Sequence, residues 1–285
     1  MNARFLRMCA GLAALTLVLT TLQAVADPLA DAARGVVTDK KESVVTVRLV
    51  IENRYSMQGS GSQTEESRAE ITGTVIDSSG LVVVSLYTTD PTSASRNMMG
   101  MDLEQMGFRM ETEIKSADFL LADGTEIPAK VVLRDKDLDL AFLRPTEPAE
   151  NSFVALDLTQ AGAPELLDPV VAITRLGRVA NRAYGALLDR VEAVVERPRT
   201  FYVPAGGGMN QSSLGAPVFT LDGDVIGILV LRTIRTPRSA GIMSMLGGGA
   251  DNALMIIMPA ADVLEVAQQA PETSQDETGS EDPEE

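Results

Sequence analysis

Histidine is absent from all 285 residues of the chain. Acid–base catalysis that relies on an imidazole near neutral pH is therefore closed to it, as is any metal site built on histidine. Cysteine occurs once, as Cys9, inside an N-terminal segment that reads as a cleaved signal. Without that segment the chain would hold no disulfide and no thiol, so cysteine usage says nothing about redox compartment. Tryptophan is missing and aromatic residues make up 4%, so the core has to be built from Val, Leu, Ile, Ala and Met. Basic residues are scarce: 24 Lys and Arg stand against 40 Asp and Glu, a formal charge of -16. A surface of that sign excludes nucleic acid, whose phosphates demand cations, and argues against anionic lipid. After the N-terminal segment no run approaches the roughly 20 apolar residues that span a bilayer.

The N-terminus itself has the three parts of a secretory signal. Arg4 and Arg7 make a basic start, Cys9 to Leu19 is a short apolar run, and Ala24-Val25-Ala26 is a small-residue cleavage site before Asp27. Cleavage after Ala26 would remove two cations and take the formal charge from -16 to -18. The signal implies a periplasmic or secreted protein, and export without disulfides fits a bacterial periplasm better than a small extracellular domain, which usually needs staples.

The mature chain reads as all-β. A helical leader over Asp27–Lys41 precedes β-type runs at Val44–Ile51, Ile71–Ile76, Leu81–Leu86, Phe119–Leu121, Lys130–Leu133 and Leu140–Leu143. A second set follows at Val170–Ile173, Leu187–Val195, Thr200–Val203, Pro217–Thr220, Val225–Leu231 and Leu254–Met258, closed by a helix over Ala260–Gln269. Asp123-Gly124 and Asp222-Gly223 mark tight hairpin turns. Short strands at this spacing point to barrels or sandwiches, not βαβ units. Three stretches interrupt them. Asn53–Arg68 is polar and reads as a loop; Pro91–Ser116 is a methionine-bearing insertion; Arg235–Asn252 is Gly-rich. The boundaries are a signal at 1–26, a leader and first unit at 27–148, a second unit at 149–270, and an acidic, disordered tail at 271–285.

Several motifs, in order, carry a family resemblance over about residues 30 to 270. Thr72-Gly73-Thr74-Val75-Ile76-Asp77 and Gly80-Leu81-Val82-Val83-Val84-Ser85-Leu86-Tyr87-Thr88 are followed by Asp123-Gly124-Thr125-Glu126-Ile127-Pro128-Ala129-Lys130-Val131 and Asp139-Leu140-Ala141-Phe142-Leu143. Then come Met209-Asn210-Gln211-Ser212-Ser213-Leu214-Gly215-Ala216-Pro217, Gly223-Asp224-Val225-Ile226-Gly227-Ile228 and Ile256-Ile257-Met258-Pro259. This resembles the HtrA/Deg-type trypsin-like serine proteases, without length for the PDZ domain that many members append. The resemblance implies two six-stranded antiparallel β-barrels with a short N-terminal and a C-terminal helix.

It also implies a site with altered chemistry. Tyr87 falls at the histidine position, Asp139 at the aspartate and Leu214 at the nucleophile. Leucine is no nucleophile, and tyrosine, with an ordinary pKa of about 10, is a poor base near pH 7. Asp139 then reads as an aspartate bonded to local backbone or to Tyr87. Ser212 stands where a glycine helps shape the oxyanion site, and no lysine lies in a segment resembling the active site. On these grounds the chain is expected not to be an enzyme but an inactive protease homologue. It is expected to bind a peptide or partner protein through Met209, Asn210, Ser212, Ser213 and Gly215 and through Met101, Met106 and Met110 of the insertion, which would form a short amphipathic lid. Alternatives are an endopeptidase with unorthodox residues, or a subunit of a homo- or hetero-oligomer. The resemblance implies a trimer built through the leader. Neither a cofactor nor a metal is expected; the methionines' soft thioethers would suit Cu(I), but flexible packing is their ordinary use.

Overall fold

The computed structural model describes residues 27–57, 60–90, 108–148, 153–233 and 253–271. The expected signal peptide, Met101, Met106, the whole Gly-rich stretch and all but the first residue of the acidic tail lie outside them.

Helix α1 (Pro28–Lys40) starts where its sequence says it should. Asp27 caps it, its carboxylate accepting from the N–H groups of Leu29 at 3.1 Å and Ala30 at 3.4 Å. Pro28, which has no N–H to lose, takes the first turn. Ala33 and Val36 are its buried face.

The first barrel contains β1 (Val44–Met57), β2 (Ser60–Val75), β3 (Val82–Ser85), the single helical turn α2 (Leu86–Thr89), β4 (Phe108–Leu120), β5 (Glu126–Asp135) and β6 (Leu140–Pro145). It closes in the order β1-β2-β3-β6-β5-β4. Alternate residues Val45, Val47, Leu49 and Ile51 point inward and meet Val82, Val84, Phe119 and Leu143, the period-2 burial of a strand with one core face.

The second barrel contains β7 (Pro169–Arg175), β8 (Tyr184–Val195), β9 (Phe201–Pro204), β10 (Pro217–Thr220), β11 (Val225–Thr233) and β12 (Ala253–Pro259). It closes in the order β10-β11-β12-β9-β8-β7, and α3 (Ala260–Ala267) follows it. The two hairpin glycines, Gly124 and Gly223, take φ of 90° and 91°, the left-handed region that a tight turn needs and glycine tolerates. A shared core, with Val83, Leu140 and Phe142 from the first barrel and Phe219, Ile228 and Val230 from the second, joins the two.

Two expectations about local structure are corrected. Asn53–Arg68 is not a loop: β1 and β2 stay paired from Val44↔Thr74 out to Ser56↔Ser62, and only residues 58 and 59 at the tip are undescribed. The second half of the methionine-bearing insertion is not a helical lid either. Residues 108–116 continue β4, with Asn53↔Thr112 and Met57↔Phe108 in register on β1, so Met110 sits on a strand. The result is a three-stranded arm, β2-β1-β4, that runs on beyond the barrel. On β2 the residues from Gly61 to Arg68 are polar throughout because neither face of that strand is buried, so its period-2 signal is missing, whereas on β4 Phe108, Met110 and Ile114 do alternate with Arg109, Glu111, Glu113 and Lys115.

Candidate functional site

Asp139 lies in the turn before β6 with a φ of 59°, an uncommon backbone for a non-glycine residue that aspartate visits more readily than most. The conformation turns its carboxylate inward, to the junction of the barrels. One oxygen, Oδ1, accepts the Tyr87 N–H at 2.8 Å. The other, Oδ2, accepts the Ser85 hydroxyl and, from across the junction, the Leu231 N–H of β11 at 2.9 Å. The Asp139 carbonyl accepts the Leu86 N–H at 2.9 Å, so the α2 turn is held twice. Burial pushes the Asp139 carboxyl up to about 6, against the pull of those donors. Tyr87 itself is half-buried on α2 and meets Asp139 through its backbone.

Leu214 is buried, 1% exposed, at the end of a 3₁₀ turn over Gln211–Ser213. The turn is closed by its own residues. Asn210 Oδ1 accepts the Ser212 N–H at 2.9 Å and the Ser212 hydroxyl at 2.6 Å. The Ser213 N–H reaches the Asn210 carbonyl at 2.8 Å, and the Leu214 N–H reaches the Gln211 carbonyl at 3.4 Å. The three backbone donors of this segment are thus engaged inside the turn. For two of them to face an oxyanion the turn would have to open. Ser213 is buried, its oxygen accepting the Asn210 N–H at 3.4 Å, whereas Ser212 is exposed. Met209 is buried beneath them in the second barrel's core.

Gly215 carries the turn into the first barrel. Its φ is 84°, and a Cβ there would stand 2.3 Å from the Thr72 carbonyl oxygen. Its N–H bonds the Leu229 carbonyl at 2.8 Å, while its own carbonyl accepts the Thr74 hydroxyl at 2.8 Å. Further contacts tie the barrels. The Arg175 N–H donates to Thr72 Oγ1 at 3.1 Å, and its guanidinium lies over the Tyr184 ring at 4.1 Å. Arg182, itself at φ 53°, pairs with Glu70 at 2.6 Å.

The structure therefore brings Asp139, the Tyr87 backbone, Leu231 and Gly215 to one junction, with the Asn210–Ser213 turn leading into Gly215. Leu231 and the Glu70–Arg182 pair belong to that junction and lie outside every quoted motif, while Thr74 and Ser85 stand inside motifs without being singled out by them. Two cavities, of about 460 Å³ and 240 Å³, lie elsewhere, on the side of the leader helix. The first is lined by Asp39, Leu156 and Asp224 among others, the second by Val45, Phe153 and Tyr184 among others, and neither by Tyr87, Asp139 or Leu214. Among the described residues no group of three or more Asp, Glu or Cys could hold a metal ion, and no helix is long and apolar enough to cross a membrane.

Comparison with known proteins bears on what this junction belongs to. Residues 13–228 match the family described as the trypsin-like peptidase domain. Over 110 residues the chain is 28% identical to a probable periplasmic serine endoprotease DegP-like of Rhizobium meliloti (strain 1021), and 30% identical to the proteins of that name in Brucella suis biovar 1 (strain 1330) and Brucella abortus (strain 2308). Each match covers 38% of this chain and 21% of the relative, so the likeness spans about a fifth of those proteins. The expectation that the chain is not an enzyme is overturned here: the matched domain is a peptidase domain, and these relatives are named serine endoproteases. The missing imidazole closes one chemical route and does not by itself remove hydrolysis. The chain belongs to the trypsin-like peptidase domain family and is a homologue of the HtrA/Deg-type serine proteases.

Proposed function

We propose that the chain is an exported, periplasmic member of this family that holds an extended polypeptide segment along β11, in the cleft between the barrels. The observation that carries this is the edge of β11. Leu229 is bonded on that side by Gly215 and Ala216. Past it, among the described residues, the only group met is the Asp139 carboxylate at the Leu231 N–H, and no strand pairs there with Leu231–Thr233. A stretch of strand edge that no strand pairs accepts a peptide by main-chain hydrogen bonds, without needing any catalytic group. A periplasmic location is supported by the relatives' names and by the basic, apolar and small-residue order of residues 1–26; a mature protein that begins at Asp27 on N-terminal sequencing is the expected outcome.

Whether the held segment is also cut is the second reading, favoured by the relatives named as endoproteases. Such cleavage would have to proceed without imidazole. The hydroxyls at the turn are those of Ser212, exposed, and Ser213, buried. The test is to titrate the mature protein with fluorescent unfolded casein and to follow both anisotropy and fragment release. Saturable binding that Thr233→Pro weakens, with circular dichroism unchanged, supports the edge. Absence of binding refutes it. Fragment release and labelling by a serine-directed probe that disappear in Ser212→Ala or Ser213→Ala would establish the second reading and name its nucleophile.

A further inference from the structure

The arm is the part of the molecule that the cleft leaves unexplained. From Gly61 to Arg68, β2 is exposed on both of its faces. One edge of β2 is paired with β1, while the other meets β3 only at Thr74 and Val75. The stretch Gly61–Ala69 therefore presents a straight row of backbone donors and acceptors with no strand beside it among the described residues. Long open edges are sites of strand pairing, and proteins blunt them with bulges, prolines or lysines. The β4 side of the arm has two such devices, a register shift opposite Val50 and Ile51 and the cation Lys115. The β2 edge has no bulge short of Ser56, no proline and no lysine, and its charges there are Glu65, Glu66 and Arg68.

We propose that this edge pairs with the same edge of a second copy of the chain, antiparallel about a two-fold axis through Ser67. The charges select both the partner and the register. A two-fold that extends the sheet keeps each side chain on its own face, so residues of equal parity stand opposite each other. Centred on Ser67, Arg68 stands opposite Glu66 of the second copy, and Glu66 opposite Arg68 of the second copy. Centred on Glu65, Glu66 or Arg68, a like charge meets itself; centred on Ala69, Arg68 would meet Glu70, which Arg182 already holds at 2.6 Å. Opposite charges directly across an antiparallel pair stabilise it and like charges oppose it. Arg68 and Glu66 are open to this use, with side chains 77% and 57% exposed and 3.6 Å from each other within the chain. The pairing is independent of the cleft, which lies at the other end of β2.

Light scattering of the mature protein tests it. At about 100 µM, where an interface of micromolar affinity is filled, the expected mass is twice that of one chain. Arg68→Glu places like charges opposite each other twice, and should weaken the dimer roughly tenfold or more. The double variant Glu66→Arg/Arg68→Glu restores both pairs and should restore the dimer. A monomer at this concentration overturns the proposal. So does a dimer or trimer that Arg68→Glu leaves unchanged, or a folded double variant that stays monomeric. Casein binding should be the same in all three proteins. If Arg68→Glu lowers casein binding while the mass stays that of a monomer, the edge takes a peptide and not a second copy.

Discussion

Asp139 and Leu231, 92 positions apart in the chain, are joined by a hydrogen bond of 2.9 Å from the β11 backbone to a buried carboxylate. A residue that in the family's pattern would orient an imidazole here orients two segments of backbone: the α2 turn through Tyr87, and the strand edge through Leu231. Its role in this chain can be read from pH.

Burial raises the Asp139 carboxyl to about 6, above the ordinary value of about 3.9 that it regains on unfolding. The folded state then binds the proton more tightly, so Asp139 makes the protein more stable as pH falls from about 6 towards 4, by about 3 kcal/mol in all. The carboxyls of Asp77, Asp123 and Asp157 are held low by hydrogen bonds, and their contribution is lost only below about pH 4. Asp262, raised by burial, acts in the same direction as Asp139. The reading is therefore a difference: urea midpoints at pH 7 and pH 5 should rise less on acidification in Asp139→Asn than in the wild type. Equal rises would show that Asp139 does not titrate in this window.

Gly215→Ala should destabilise the protein by more than about 2 kcal/mol, because it adds a methyl group against the Thr72 carbonyl in a backbone region hostile to side chains. A thermal melt lowered by several degrees is the expected outcome. The barrels should separate more easily, so the variant should be digested faster than the wild type under the same protease.

Thr74→Val removes the hydroxyl that satisfies the buried Gly215 carbonyl. Leaving that acceptor without its partner should cost about 1–3 kcal/mol. Thr74→Ser should recover most of it in the same denaturation experiment, since the hydroxyl and not the methyl makes the bond.

The Glu70–Arg182 pair crosses between the barrels with side chains 12% and 32% exposed. One oxygen of Glu70 is buried without a hydrogen-bond partner. Removing Arg182 alone strands the carboxylate, so Arg182→Ala should cost more than Glu70→Gln/Arg182→Ala together. A double-mutant cycle should return a coupling of about 1 kcal/mol or more; a coupling near zero would mean that the junction does not depend on this pair.

Much of this architecture is legible from residue order alone. Apolar alternation in Val45, Val47 and Leu49, the Asp-Gly turns, and Asp27 before Pro28 specify local structure through rules that act over a few residues. The absence of histidine is likewise a property of the sequence, and it excludes imidazole chemistry in any fold. The β2 side of the arm was not legible, because a strand with no buried face carries no period-2 signal, and Glu65, Glu66 and Arg68 look like loop residues until β1 is seen beside them; on β4 the alternation of Phe108, Met110 and Ile114 with charged residues was present but read as helical spacing. Nor was the junction. Asp139 with Leu231, Thr74 with Gly215 and Glu70 with Arg182 are separated by 92, 141 and 112 residues. Such pairs exist only once two closed barrels dock and force buried polar groups to find partners across the seam. Local periodicity built the barrels; the need to satisfy those groups, which arises only on docking, decided which residues hold the cleft.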